Sequence, residues 1–428
     1  MEYWAFVTAK GWPAYRSPRL RAVRGQVGAG RRVCCGVILG LLVLMSPDPS
    51  RADLWTDTKS QELMVTGTDH LLNLDYDLAE QAFAGLGDVD KTGLLAPFYQ
   101  AFVTLMRLQD REPTRQETDD LLAAMRALIA RAEARLTQVP EEPDLLLFLG
   151  MAWGSKAMID GIQGNYFSAY QAIKRTRSYL DACLLHQPIR YDAYYGLGLY
   201  DSMLSRIAWY YRPFVHLALP PGDRERGLRE LTMASERGVA TRTLAKFGLL
   251  QTYTGIEKDF EKALPLADEL LSRFPNNPEL YFQAALVYSE LGRFPEALEV
   301  GRRISANLEL GRYHFTREML PRYFQLMGKI YMDRGDYPTA LSFFRKTIEQ
   351  PTPRYAWVTA WAWTRTGMIH DLLEKRMEAE RSYRMALAIK TDSIAKDAAR
   401  RYLHEPYRKE TARRTLPATR TEENTSSP

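Results

Sequence analysis

Cysteine is nearly absent: the 428 residues hold three, and two of them, Cys34 and Cys35, lie together in an N-terminal apolar stretch. Cys183 is left alone, which excludes a disulfide or a cysteine-based metal site within a chain that starts after that stretch. Histidine is also scarce. The six residues (His70, His186, His216, His314, His370, His404) show no i, i+4 pair and no glutamate in the spacing of a zinc protease. No glycine-rich loop followed by Lys-Ser or Lys-Thr occurs, and Gly196-Leu197-Gly198 has neither a preceding strand nor the third glycine of a dinucleotide fingerprint. No cofactor and no metal are therefore expected, and nothing asks for catalysis. The formal charge of +5 is deceptive. Eight basic and two acidic groups fall within residues 1–52, which leaves 49 basic against 50 acidic groups, a net −1, for the rest. The body lacks the general electrostatic pull of a nucleic-acid binder.

What is present first is a leader. Arg31-Arg32 form a positive start, Val33 to Met45 is apolar or small, and Ser46-Pro47-Asp48-Pro49 breaks any helix. The stretch is shorter than the ~20 residues that a spanning helix needs. Ser50-Arg51-Ala52 supplies small residues for signal peptidase, with the cut expected after Ala52. Residues 1–52 thus read as a basic leader and signal peptide, and the protein as exported to the periplasm or associated with an outer membrane. Arg31-Arg32-Val33 before Cys34 does not suit lipoprotein processing.

The second feature is internal repetition. Phe260-Glu261-Lys262-Ala263-Leu264 recurs as Phe294-Pro295-Glu296-Ala297-Leu298 after 34 residues and as Tyr337-Pro338-Thr339-Ala340-Leu341 after a further 43. A weaker copy is Met377-Glu378-Ala379-Glu380. Upstream of these lie Tyr281, Ala285, Tyr288 and Gly292, then Gly328, Tyr331 and Gly335, then Trp363, Gly367 and His370. This is the pattern of two antiparallel helices joined at a glycine. A small residue lets the helices approach, an aromatic fills the space between units, and Gly292 and Gly335 supply the positive φ that ends the first helix. Pro295 and Pro338 suit the first turn of the second helix, where no N–H is needed.

These residues resemble the tetratricopeptide repeat family, whose unit is ~34 residues. The resemblance spans about 55–390, with units beginning near Ala245, Pro278, Pro321 and Trp361. It implies an all-α fold, an α-solenoid of seven to eight antiparallel helix pairs with insertions in the N-terminal half. The expected organisation is degenerate repeat-like helices over 53–140, central hairpins with insertions over 141–240, a regular array over 241–390, a capping helix over 391–404 and a disordered tail over 405–428. Degenerate units are marked by Gly67 and His70 with Leu74 to Phe83, by Gly150 and Trp153, and by Gly196, Gly198 and Gly227. The run from Asp192 to Tyr200, followed by Gly222 to Leu228, is similar to bacterial relatives of a eukaryotic tetratricopeptide repeat family. That family is linked to the mitochondrial outer membrane and to inclusion-body clearance.

The family's ligands lie on the concave face, along the first helix of each unit. The resemblance places Phe282, Leu286 and Ser289 there, then Arg322, Gln325 and Lys329, then Trp361, Thr364, Met368 and Asp371. The expected groove is a mixed apolar and basic trough for an extended or helical segment carrying an acidic group. The Lys/Asn set of repeat domains that bind chaperone tails is absent. A separate candidate is the aromatic insertion from Ile207 to Pro221, with Trp209, Tyr210 and Phe214, which either packs between repeats or touches a partner or membrane. Beside it, Asp223 is expected to cap a helix, and Arg224 and Arg226 to pair with acids. The sequence therefore predicts a non-enzymatic scaffold that binds a protein partner in the bacterial cell envelope. The alternatives are a membrane-peripheral factor docking through 207–221 and an enzyme with a pocket between helices.

Overall fold

The computed structural model describes residue 55 and residues 57–109, 113–204, 222–312, 314–391 and 393–409. The leader and signal, the aromatic insertion with Trp209, Tyr210 and Phe214, and the tail from residue 410 lie outside the described residues. Among the described residues the regular structure is helical, and the fold is an all-α solenoid. Its helices pair as α1 (Thr58–Leu72) with α2 (Tyr76–Ala84), followed by the short α3 (Leu86–Val89), then α4 (Leu95–Gln109) with α5 (Arg115–Leu136), and α6 (Pro143–Ile162) with α7 (Tyr166–His186). They continue as α8 (Ala193–Leu204) with α9 (Arg224–Arg237), α10 (Arg242–Thr252) with α11 (Phe260–Arg273), and α12 (Pro278–Glu290) with α13 (Phe294–Glu309). The last pairs are α14 (Leu320–Arg334) with α15 (Tyr337–Glu349) and α16 (Ala356–Leu372) with α17 (Arg376–Ala388), closed by α18 (Ile394–His404).

One turn recurs in six hairpins. A residue with left-handed φ stands two places before the second helix: Leu74, Gly164, Lys258, Gly292, Gly335 and Glu374. The next N–H then reaches back to a carbonyl of the first helix, as in Asp75 to His70, Arg293 to Tyr288, Asp336 to Tyr331 and Lys375 to His370, at 2.8–2.9 Å. This bond satisfies a carbonyl that the helix end would otherwise orphan. At Lys258 the bond runs from Asp259 to Tyr253 instead, because a π turn over Tyr253–Glu257 adds a residue. Glycine is therefore sufficient for this turn but not required.

Close packing of each pair depends on a missing side chain. A Cβ on Gly67, Gly328 or Gly367 would lie 2.3–2.5 Å from the ring of Phe83, Phe344 or Tyr383, each 16 residues further on. The equal spacing shows that the α1–α2 pair is built like the late ones. Ala263, Ala297, Ala340 and Ala379, the small residues of the repeated motif, are fully buried. The crossing of α8 with α9 is tighter still. A Cβ on Gly198 would meet the backbone of Leu231 and Gly227 at 2.8–2.9 Å, so the Gly196-Leu197-Gly198 run serves packing.

The core divides into a cluster over Trp55 to Ala240, a second over the pairs α10–α14, and two small clusters at the C-terminal end. Helix α6 is long and apolar enough to cross a membrane, but two-thirds of its apolar window is buried within the fold. The two halves are also tied across some 200 residues. Asp69 pairs with Arg273, and Asn277 donates from its side chain to the Leu72 carbonyl at 2.8 Å. The Asn276 amide bonds Asn73, and His314 Nε2 lies 3.0 Å from the Leu74 carbonyl with its ring edge-on to Tyr76. Since a carbonyl only accepts, His314 carries its proton on Nε2 in this contact. The turn between α1 and α2 thereby seats on the loops that join later units.

Candidate partner-binding groove

Helices α12, α14 and α16 stand side by side as the first helices of successive units. Along this face the structure brings together most of the expected groove positions, and it gives the charged ones local partners. Arg322 pairs with Glu279 at 2.7 Å and stacks its guanidinium 4.0 Å from the centre of the Phe282 ring, which is buried beneath it. Lys329 lies between Glu290, at 2.8 Å, and Asp333. Ser289 is buried and donates to Asp333 at 2.9 Å, and Gln325 is buried as well. Thr364 is wholly buried, its hydroxyl 2.9 Å from the Ala360 carbonyl and 3.1 Å from that of Ala395, so it fastens α16 to α18. Leu286, Trp361 and Met368 remain half-buried.

Electrostatics follow from these pairs. Burial pushes the Glu279 carboxyl up, but the Arg322 guanidinium overrides it and holds the group below the usual glutamate range. Glu290 is likewise held low against burial by Lys329. Burial opposes the charge on Lys329, but Asp333 and Glu290 keep its ammonium above the ordinary value. Arg365 is different. Burial lowers its guanidinium to about 10 despite Asp333 and Glu290, its Nη1 is buried without a hydrogen-bond partner, and its head stacks over Trp361. The expected basic trough is thus a nearly neutral one in which Arg322 and Lys329 are already paired.

A second polar cluster lies at the base of the insertion. Asp201, on α8, is fully buried and receives both nitrogen arms of Arg226, with Nη2 at 2.8 Å, and Arg177 at 3.3 Å. Asp223 caps α9 by accepting from the Arg226 amide at 3.0 Å, and Arg224 pairs with Glu257. Glu230, one turn along α9, is pushed up to about 7 by burial and by Asp201, against the pull of Arg226. Its Oε2 is buried and accepts no hydrogen bond.

Residues 256–310, from the π turn after α10 through α13, match the tetratricopeptide repeat family. That segment carries the tetratricopeptide repeat pattern. No curated protein matches it. Among solved structures, the crystal structure of a tetratricopeptide repeat protein from Parabacteroides merdae is similar at 12% identity, covering 76% of this chain and 99% of that one with a TM-score of 0.29.

At the last helix pair, the expected groove residue Asp371 is a structural bolt. Its carboxylate is 1% exposed and accepts from Arg376 at 3.0 Å, from the Tyr383 hydroxyl at 2.8 Å and from the Tyr407 backbone N–H at 2.9 Å. The segment 405–409, expected to begin a disordered tail, is instead held against the repeats by this bond. Sequence reading missed Glu279, Glu290, Asp333 and Arg365 on the groove face. A signal was available, because equivalent positions of neighbouring repeats lie side by side. Glu279 and Arg322 each follow the proline that opens their unit, and Glu290 and Asp333 share a register as well.

Proposed function

We propose that the protein is a non-enzymatic scaffold of the bacterial cell envelope that grips a protein segment along α12, α14 and α16. The observation that carries this reading is the pairing of charges on that face. With Arg322 and Lys329 neutralised by Glu279, Glu290 and Asp333, the side chains left to a ligand are the half-buried Leu286, Trp361 and Met368. The fitting partner is an extended or helical segment that presents apolar side chains, and an acidic group is not its main requirement. Reversing Arg322 and Lys329 would be a poor test, since it would set like charges together and damage the fold. Leu286→Glu with Met368→Glu leaves the ion pairs intact. Affinity capture from envelope extracts, read by mass spectrometry, should lose its partner by about tenfold or more in this variant, a loss of ~1.4 kcal/mol or more, with helicity by circular dichroism unchanged. Undiminished capture removes the groove as the binding site. The apolar stretch and small-residue cut of residues 1–52 support export, and the secreted protein should start at Asp53 on N-terminal sequencing. A start elsewhere in the body ends that reading.

A further inference from the structure

We infer that Glu405-Pro406-Tyr407 is a built-in occupant of the groove, so that a partner segment competes with it and places an aromatic side chain where Tyr407 now lies. The inference rests on the groove reading above and adds what fits its C-terminal end. The path of the segment is fixed by α18. Arg376, on α17, takes the last carbonyls of that helix, Tyr402 at 2.9 Å and Leu403 at 2.7 Å, so the chain leaves α18 at a set point and in a set direction. Pro406 follows, which prevents the helix from continuing over the repeats.

Tyr407 then meets two successive first helices, α14 and α16, and their neighbours. Its N–H donates to Asp371 of α16 at 2.9 Å. Its ring lies edge-on to Tyr402, 5.1 Å between centres, and packs on the cluster of Met332, Ala340, Phe344, Ala362 and Ile369. Burial pushes its phenol up to about 12, helped by Tyr402 and Asp333 and opposed by Lys329. Lys329 and Asp371 belong to two adjacent first helices of the groove face described above. One backbone bond and one aromatic side chain across two repeats is how a bound peptide would be held.

Two features mark the segment as displaceable. Glu405, Pro406 and Arg408 are exposed, so the segment meets the groove face through Tyr407. Arg365, on α16 with Asp371, keeps a buried nitrogen without a hydrogen bond. A core contact that had no other use would be expected to satisfy that nitrogen, because leaving it unbonded is costly. A partner carrying a hydrogen-bond acceptor next to its aromatic residue gains this contact, and the cis segment does not.

The test uses the full chain and a fluorescein-labelled peptide of residues 402–411 as the probe. A tethered segment acts at an effective concentration of order millimolar, so the wild type should bind the peptide at least about tenfold more weakly than Tyr407→Ala. Tyr407→Phe, which keeps the ring and the backbone bond, should behave as wild type. A peptide with alanine in place of its Tyr407 should not bind. A second measurement avoids any folding defect of the variant: in the wild type, millimolar peptide should speed hydrogen exchange at the Tyr407 amide. Equal binding by wild type and Tyr407→Ala overturns the inference, as does exchange at Tyr407 that the peptide leaves unchanged. Both results leave the groove standing if Leu286→Glu with Met368→Glu still loses partner capture. Peptide displacement with undiminished capture would instead remove the proposed function and keep the cis contact.

Discussion

At the scale of single residues, Glu230 is a carboxyl whose chemistry burial changes at ordinary pH. It sits beside Asp201, and the guanidinium that would stabilise its charge is spent on Asp201, with Arg226 Nε 4.0 Å from Glu230 Oε1. Its carboxyl titrates near 7 in the fold against 4.5 in the open chain. The protonated form is therefore favoured by folding. Its stabilising contribution is complete below about pH 4.5 and is lost as pH rises through about 7. Glu279 and Glu290 act in the opposite sense, because their lowered values give stability above the open-chain range that is lost on acidification. Glu230→Gln isolates the first effect. Thermal melts should show a higher Tm than wild type at pH 7.5 and the same Tm at pH 4.5. A variant that melts lower at both pH values would show that the carboxylate is used as a charge.

At the scale of elements, the recurring hairpin turn shows what a sequence makes visible. Gly292 and Gly335 are legible because glycine at the end of an apolar period signals a left-handed residue. Leu74, Lys258 and Glu374 adopt the same conformation with no such signal, at a cost of roughly 1 kcal/mol each. Packing of the helices they join holds them there. Glu374→Gly should therefore stabilise the protein by about 0.5–1 kcal/mol, read from denaturant unfolding. A loss of stability would mean that the Glu374 side chain contributes more than its backbone costs. The same contrast applies to the groove. Its apolar and basic positions were legible from the repeat register, because register follows directly from spacing. Their acidic partners were legible only as register: Glu279 matches Arg322 and Glu290 matches Asp333, but which side chains pair depends on how one unit is rotated against the next.

At the scale of the whole molecule, the tie between the α1–α2 turn and the later repeats sets it apart from a simple stack. Units that touch only their neighbours unfold in steps, with stability close to a sum of local terms. Here Asp69, Asn73, Leu72 and Leu74 are bonded to Arg273, Asn276, Asn277 and His314. Ordinary polar residues make these contacts, with no periodicity to announce them, so the sequence is silent about the tie. Asp69→Ala with His314→Ala should broaden the single calorimetric transition into two, the N-terminal core melting apart from the repeats. One sharp transition in the variant would show that the halves are coupled elsewhere, for instance through Arg354 and the Gln109 carbonyl.

That tie also imposes a delay on synthesis. Asp69 leaves the ribosome 204 residues ahead of Arg273. At ordinary elongation rates of about 5–20 residues per second, the first hairpin waits about 10–40 s for the surface it will cover. During that interval Leu72, buried in the finished fold against the second core, has no counterpart. The nascent chain thus leaves Leu72 uncovered for long enough to be recognised by a chaperone.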